Sequence, residues 1–140
     1  MTRRRWTSVV VGAAVLVTAL AYLRDPPWLV HVTSGLTRWE TDSDGTRYRW
    51  TGGRGSFFVP SSAESVTFRI RAPKDDPGDR PITATITIDD RAADIVKVGE
   101  EEWSTVRLRL PTRGDRKVRR IDIRLDRVRA GHRGVQLQLE

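Results

Sequence analysis

The sequence predicts an all-β fold, an antiparallel β-sandwich of jelly-roll type, preceded by one N-terminal transmembrane helix. An uncharged apolar run lies near the start of the chain, and beyond it apolar residues recur at every second position, with no sustained apolar period of 3.6 residues. A length of 140 residues allows about one compact domain beside that helix. The absence of cysteine excludes disulfides, thiol catalysis and cysteine-ligated metal centres.

The apolar run covers residues 7–23, and its 17 uncharged residues lie at the lower end of the roughly 17–25 that cross a bilayer as a helix. Arg3, Arg4 and Arg5 precede it. Positively charged flanks of this kind remain on the cytoplasmic side of a membrane. We therefore expect a single pass through the cytoplasmic (inner) membrane, with the rest of the chain outside the cytoplasm.

Two domains follow from this reading. Residues 1–25 form a membrane anchor with a basic cytoplasmic flank, and residues 26–140 form an extracytoplasmic β-sandwich domain that carries 21 basic and 17 acidic residues. The alternative is a signal peptide, since Ala19-Leu20-Ala21 matches the small-x-small pattern of a cleavage site. The domain would then be secreted after cleavage near Ala21, and both readings export it.

Alternation of apolar and polar residues predicts the strands of the exported domain. The clearest strands cover residues 66–70, 82–88, 106–110, 121–125 and 135–139, and weaker ones cover 29–33, 47–51, 56–59 and 93–98. Turn residues separate them at 42–45, 51–55, 73–81, 113–115 and 131–134. Eight or nine short strands at intervals of about 8–12 residues are typical of a sandwich.

The order of short motifs adds a resemblance. In the first half of the domain these motifs are Gly35, Trp39-Glu40, Gly45, Arg49-Trp50-Thr51 and Val59-Pro60; in the second half they are residues 86–90, Glu102-Trp103, and residues 106–111, 119–125 and 134–137. Their order resembles the carbohydrate-binding-module-like β-sandwich (jelly-roll) domains attached to bacterial membrane glycosyltransferases and envelope proteins. The resemblance covers nearly all of residues 28–140 and implies such a module alone, without glycosyltransferase activity.

Aromatic and charged side chains supply a candidate ligand site. The candidate ligand-binding residues are Trp39, Glu40, Tyr48, Arg49, Trp50 and Trp103. Aromatic rings pack well on the apolar faces of sugar rings. The alternative is structural: the rings fill the core or its rim, and Glu40 pairs with Arg47 and Arg49 to hold a loop. Strand parity places Tyr48 with Trp50 on one face and the two arginines on the other, so one face is buried.

We predict no metal site, no cofactor and no catalytic residue. The acidic turns at 42–45 and 75–79 carry oxygen ligands of the type that calcium binds, but neither has EF-hand spacing. His31 and His132 lie near opposite ends of the chain, and no Ser/His/Asp motif accompanies them. The chain is therefore expected not to be an enzyme.

Basic residues are concentrated late in the chain, with eleven between residues 105 and 133. Alternation aligns Arg107 with Arg109, and Arg120 with Arg124, on solvent-facing sides of strands. Such rows attract anionic glycans or lipid phosphates, or they pair with interleaved aspartates in a salt-bridged sheet face. Export argues against nucleic acid as a partner.

The predicted function is a membrane-anchored, extracytoplasmic, non-catalytic module with a binding or accessory role in cell-envelope glycan biology. The predicted partners are the membrane, through the N-terminal helix, and a glycan or an envelope membrane protein. One alternative is a structural interaction protein that docks onto a membrane partner such as an envelope glycosyltransferase. Another is a small glycan hydrolase, because two carboxylates at a suitable separation suffice for that chemistry.

Overall fold

The computed structural model describes residues 3–72, 80–99, 102–111, 116–128 and 133–139, with side chains from Trp6 onward. Helix α1 (Arg3–Arg24) is followed by a 3-10 helix (Pro27–His31). The strands are β1 (Thr33–Leu36), β2 (Glu40–Thr41), β3 (Arg47–Pro60), β4 (Ser65–Arg71), β5 (Ile82–Ile88), β6 (Arg91–Val98), β7 (Ser104–Arg109), β8 (Val118–Leu125) and β9 (Gln136–Leu139).

The strands form one nearly closed, barrel-like sheet in the order β6-β5-β8-β3-β9-β4-β7, with β1 and β2 added along β3. Every pairing between the described strands is antiparallel. The end strands β6 and β7 face each other across a seam. The predicted antiparallel β-structure and the apolar N-terminal helix are therefore confirmed, whereas the jelly-roll sandwich and the crossing of a membrane stay predictions.

Strand β3 joins the two halves of this sheet because it changes partner along its length. Its first part pairs with β9 and its second part, from Arg54 onward, pairs with β8. Gly52 and Gly53 lie between the two parts, and glycine tolerates the distortion that such a change requires. The predicted turn at 51–55 is wrong: the chain continues as one strand, which joins the predicted strands 47–51 and 56–59.

The inner face of the sheet carries the hydrophobic core. In β5 every second residue is buried, from Ile82 to Ile88, as alternation predicts. Phe57 of β3 and Phe68 of β4 meet edge to face, with ring centroids 5.7 Å apart. Burying each large apolar side chain stabilises the fold by about 1.5–3 kcal/mol. The core therefore spans both halves of the sheet.

The predicted strand at 29–33 is wrong. Pro27 begins a 3-10 helix that ends at His31, and β1 begins only at Thr33. Two consecutive prolines fix φ near −65° and remove two backbone donors, which suits the first turn of a helix better than a sheet. The predicted turns at 73–81, 113–115 and 131–134 lie partly or wholly outside the described residues.

Helix α1 is long and apolar enough to span a membrane. Its described side chains lie outside the β-domain, with valine and leucine residues more than half exposed along the helix. A signal sequence has the same composition and position, so the helix fits both the predicted anchor and the predicted cleaved segment.

Substitution of Gly35 tests the packing between β1 and β3. Its φ is +67°, and a Cβ at this position would collide with the backbone carbonyl of Arg54. Substitution Gly35→Ala is expected to lower the free energy of unfolding by about 3 kcal/mol, because backbone strain and steric overlap add. Gly45 is a matched control, since its φ is +79° but a Cβ there meets nothing within 4 Å.

The Gly45→Ala variant should therefore lose only about 1 kcal/mol. Urea titration of both full-length variants in detergent, followed by circular dichroism, measures the difference. Equal losses in the free energy of unfolding would show that the close contact between Gly35 and the Arg54 carbonyl does not contribute to the effect of Gly35→Ala.

Candidate functional site

Glu40 holds a pair of buried aromatic residues on the outer face of the sheet. Glu40 of β2 lies directly opposite Tyr48 of β3, so their side chains point to the same side. Its Oε2 accepts hydrogen bonds from Tyr48 Oη (3.3 Å) and Trp50 Nε1 (3.1 Å). Burial first, and then the neighbouring carboxylate of Glu40, raise the pKa of Tyr48. Tyr48 and Trp50 are 8% and 6% exposed and meet edge to face.

Trp39 and Arg49 lie on the opposite side of the β2–β3 hairpin. The guanidinium carbons of Arg47 and Arg49 lie 5.0 and 5.6 Å from the centroid of the Trp39 ring. Arg49 also donates to the carbonyls of Thr37 (2.5 Å) and Leu36 (3.3 Å), and to Thr33 Oγ1 (2.8 Å). Arg49 therefore ties the β1 segment to β3. Trp39 remains 45% exposed.

A row of polar and aromatic side chains crosses the outer face from β3 to β7. Trp50 lies opposite Gln136, and Gln136 lies opposite Arg71. Arg71 Nε donates to Gln136 Oε1 (2.6 Å). The Arg71 guanidinium carbon is 4.4 Å from the centroid of the Trp103 ring, and that of Arg69 is 5.4 Å away. The row thus runs from Trp50 to Trp103, and side-chain contacts connect Gln136, Arg71 and Trp103 within it.

Basic side chains extend this row onto β7. Arg107 lies opposite Thr67 and Arg109 opposite Ser65, so both arginines share the outer face with Arg69. Both are exposed, and neither makes a hydrogen bond or ion pair with any residue in the described ranges. We call this surface the arginine–tryptophan face; it consists of Arg69, Arg71, Trp103, Arg107, Arg109, Gln136 and Gln138.

The structure divides the six predicted ligand residues into three groups. Glu40, Tyr48 and Trp50 form one cluster, and that cluster is largely closed to solvent, with Arg133 stacked on Trp50 at 5.2 Å. Trp103 lies at the far end of the polar row, half-buried. The remaining two, Trp39 and Arg49, lie on the other side of the hairpin. Glu40 bonds the two aromatic residues, whereas the sequence suggested the neighbouring arginines as its partners.

Sequence reasoning missed the middle of the arginine–tryptophan face. Arg69 and Arg71 alternate with core residues in β4, and Gln136 and Gln138 do so in β9. This alternation already indicated that the four polar side chains face away from the core. What was absent was the register that places Arg69 opposite Gln138 and Arg71 opposite Gln136.

The acidic turn at 42–45 stabilises its own backbone. Asp42 Oδ1 accepts hydrogen bonds from the amides of Asp44 (3.1 Å) and Thr46 (2.9 Å), and Oδ2 accepts one from Arg71 (3.2 Å). Within the described ranges, no group of three or more histidine and acidic side chains is placed to hold a metal ion. The acidic residues 75–79 lie outside these ranges.

Asp122 is the centre of a charged network on the other half of the sheet. The Asp122 side chain is 6% exposed. Its carboxylate accepts hydrogen bonds from Ser56 Oγ (2.6 Å), Arg120 Nε (2.8 Å) and Arg54 Nη2 (3.1 Å). Arg120 also pairs with Asp90. For Arg120 the salt-bridged sheet face is therefore observed. Arg124 lies directly opposite Arg54 and is exposed.

No protein-family model matches the sequence, and no curated protein matches it significantly. The chain is similar in structure to the salicylyl-acyltransferase SsfX3 from a tetracycline biosynthetic pathway, with a TM-score of 0.47, 14% identity and coverage of 78% of this chain and 36% of that one. It is also similar to a glycoside hydrolase family 43 arabinoxylan arabinofuranohydrolase from Bacillus subtilis, with a TM-score of 0.39, 10% identity and coverage of 77% and 24%. The chain thus spans about a third and a quarter of these proteins, and TM-scores this low carry no information on function.

The Asp122 network makes stability depend on pH. Burial alone would raise the pKa of Asp122, but the hydrogen bonds from Ser56 and Arg54 and the charge of Arg120 outweigh it and lower that pKa. A carboxylate with a lowered folded-state pKa stabilises the fold above its unfolded-state pKa of about 3.9, and this contribution disappears as pH falls through the folded-state value. Asp122→Asn should cost about 2 kcal/mol at pH 7.

The check is the melting temperature of the wild type and Asp122→Asn between pH 7 and pH 2.5. The difference in melting temperature between the two proteins should become smaller below about pH 4, because an aspartate in the unfolded chain has a pKa near this value. Asp44→Asn, in an exposed turn, serves as the control and should differ little from the wild type throughout. A difference in melting temperature that stays constant down to pH 2.5 would contradict a lowered pKa of Asp122.

Proposed function

We propose that this protein is a membrane-anchored, extracytoplasmic, non-catalytic module that binds acidic glycans of the cell envelope on the arginine–tryptophan face. The observation that carries the proposal is the half-buried Trp103, stacked on Arg69 and Arg71 beside two exposed arginines, Arg107 and Arg109, that have no partner among the described residues. Exposed guanidinium groups of one sign, next to an aromatic ring and amides, suit a ligand that carries both anionic and apolar surface.

The chemistry of each group fits an acidic sugar. A guanidinium binds a carboxylate or phosphate through two parallel hydrogen bonds. The Trp103 ring offers an apolar surface for a sugar ring. Arg69 Nη1 is held by Gln138 Oε1 at 3.1 Å, which limits its rotamer freedom and so the entropy lost on binding. The ligand class is therefore a glycan with uronic acid or phosphate groups.

The remainder of the proposal concerns location and fold. Helix α1 would cross the cytoplasmic membrane once, with the arginines before it in the cytoplasm and the β-domain outside. Secretion after cleavage near Ala21 is the alternative. A jelly-roll module of the carbohydrate-binding type is the fold expected for this role, and turnover of a glycan by the protein would count against a non-catalytic module.

The test is a tryptophan-fluorescence titration of the full-length protein in detergent with acidic and neutral envelope polysaccharides. We expect a saturable change with acidic glycans only, weakened by salt. Arg107→Ala should weaken binding about tenfold, which corresponds to roughly 1.4 kcal/mol. The matched control is Arg124→Ala, an exposed strand arginine on the other half of the sheet, which should bind like the wild type.

Trp50→Ala is unsuitable for this test because Trp50 is 6% exposed and its loss would disturb the fold. Absence of any saturable change, or equal loss in the Arg107 and Arg124 variants, would overturn the proposal.

A second function, docking onto an envelope membrane protein, is favoured by the seam between β6 and β7. The two edge strands flank a cleft of about 570 Å³ that includes Ile88, Leu108 and Leu110 in its lining. Each strand has a sheet neighbour on one side only. Ile95 of β6 is 69% exposed, which is costly on an unprotected edge.

The occupant that fits this seam is an extended segment of the partner protein, added as a strand. Arg91, Arg107 and Arg109 line the cleft with a single described acid, Asp94, so an acidic segment is favoured. Because the chain has no cysteine, Ile95→Cys introduces a unique site for thiol cross-linking in native membranes. We expect a partner adduct through residue 95, and none through Ser43→Cys.

In the purified complex, hydrogen exchange at β6 and β7 amides should slow, and no glycan should be required. Unchanged exchange at both strands would exclude strand addition even if an adduct forms.

A further inference from the structure

An ion pair between a half-exposed arginine and a buried aspartate links the β-domain to the end of helix α1. Arg116 Nε donates to Asp25 Oδ1 (2.7 Å), and the side chain of Asp25 is 6% exposed. Arg116 Nη2 also donates to the carbonyl of Arg24 (3.0 Å), and the backbone amide of Lys117 bonds the Asp25 carboxylate. The Asp25 carboxylate is thus bonded both by a guanidinium and by a backbone amide of the β-domain. The domain is therefore held in one orientation at the end of the helix.

Arg116, Lys117 and Val118 lie beside the last turns of α1. A cleft of about 440 Å³ lies between them and includes Thr18, Ala21 and Tyr22 of the helix together with Lys117 and Val118. Asp25, Pro26, Pro27 and Val30 complete the lining, and the carboxylate of Asp25 is already paired with Arg116. One wall of the cleft is thus the surface of the candidate membrane helix itself.

The helical rise gives the depth of this cleft in a bilayer. With the apolar run ending at Leu23, Thr18 lies five residues earlier, or about 8 Å along the helix axis. Each headgroup layer is about 5–8 Å thick. Lys117 lies beyond the end of the apolar run, because its backbone amide bonds the carboxylate of Asp25, two residues or about 3 Å past Leu23 along the axis. The cleft therefore extends from the hydrocarbon at Thr18 to the headgroup layer at Lys117, the level of lipid phosphates.

Lys117 is a cation whose side chain has no partner among the described residues at this end of the domain. Asp25 pairs with Arg116, and Asp89 pairs with Arg119. Lys117 is exposed, and its ammonium makes no hydrogen bond or ion pair within the described part of the chain. Trp28, in the 3-10 helix that follows the anchor, is 53% exposed, and tryptophan is enriched where membranes meet water.

We propose that this cleft binds an anionic phospholipid of the surrounding bilayer, which seats the β-domain directly on the membrane surface. The lipid phosphate pairs with Lys117, and the glycerol and upper acyl chain lie against Ala21, Tyr22 and Val30. The inference rests on the proposed insertion of α1 in the membrane. It adds a fixed orientation, since lipid contact and the Asp25–Arg116 pair hold the same end of the domain.

The experiment uses the full-length protein in proteoliposomes of phosphatidylcholine with or without phosphatidylglycerol. Ser62→Cys takes a single environment-sensitive fluorophore near the cleft, because the adjacent Ser61 amide bonds the carbonyl of Lys117 (2.9 Å). Ser43→Cys, in the turn before the opposite end of β3, is the matched control position. Lipids that carry a quencher in the headgroup report contact with the membrane surface.

We expect strong quenching at position 62, increased by phosphatidylglycerol, and little at position 43. Lys117→Glu should remove the increase due to phosphatidylglycerol, whereas Lys97→Glu, an exposed lysine near the far end of β6, should keep it. Inorganic phosphate added to phosphatidylcholine vesicles should have no effect; an effect equal to that of phosphatidylglycerol would replace the lipid by a free phosphate ligand and overturn the inference.

An alkaline carbonate wash tests the membrane anchor separately from the seating of the β-domain on the membrane surface. Retained protein with equal quenching at positions 62 and 43 overturns the seating on the membrane and leaves the anchor intact. Loss of the protein in the wash overturns the anchor and the seating together.

Discussion

The constraint on which the fold depends is that one strand, β3, must pair with different neighbours at its two ends. At the change of partner, Thr51 is almost completely buried; its amide and hydroxyl bond Val135, and its carbonyl accepts the amide of Gly134. A Cβ on Gly134 would meet Thr51 Oγ1 at 2.6 Å, so only glycine lets the incoming chain approach this closely. Both half-sheets are aligned by this junction, and so is the core between them.

Arginine is the residue that organises the surface built on this frame. Arg49 bonds two carbonyls of the β1 segment, Arg71 joins a turn to β9, and Arg120 bridges two aspartates. A guanidinium has five donors in a fixed plane and stays charged when half-buried, which explains how a small domain without disulfides is cross-tied. Arg107 and Arg109 make no such bonds within the described residues and are exposed, so their guanidinium groups remain accessible.

Alternation predicted the β-class and placed most strands within a few residues, because a buried face imposes a period of two. It failed at residues 51–55, where glycines that read as a turn let a strand change partner, and at residues 29–33, where two prolines begin a 3-10 helix. The aromatic and acidic candidates on the β2–β3 hairpin were visible in the sequence. Their division between two sides, and the position of Arg71 between Trp50 and Trp103, depend on strand register, which residue types alone do not specify.

The contact between α1 and residues 116–118 affects the cleavage site predicted at Ala21. Ala21, the last residue of the cleavage pattern, lies in helix α1 and lines the same cleft as Lys117 and Val118. A protease needs its substrate chain unwound, and here this bond lies in a helix whose end is tied to the domain by the Asp25–Arg116 pair. Cleavage after Ala21 would therefore require the last turns of the helix to unwind, and with them the contact that joins Asp25 to Arg116.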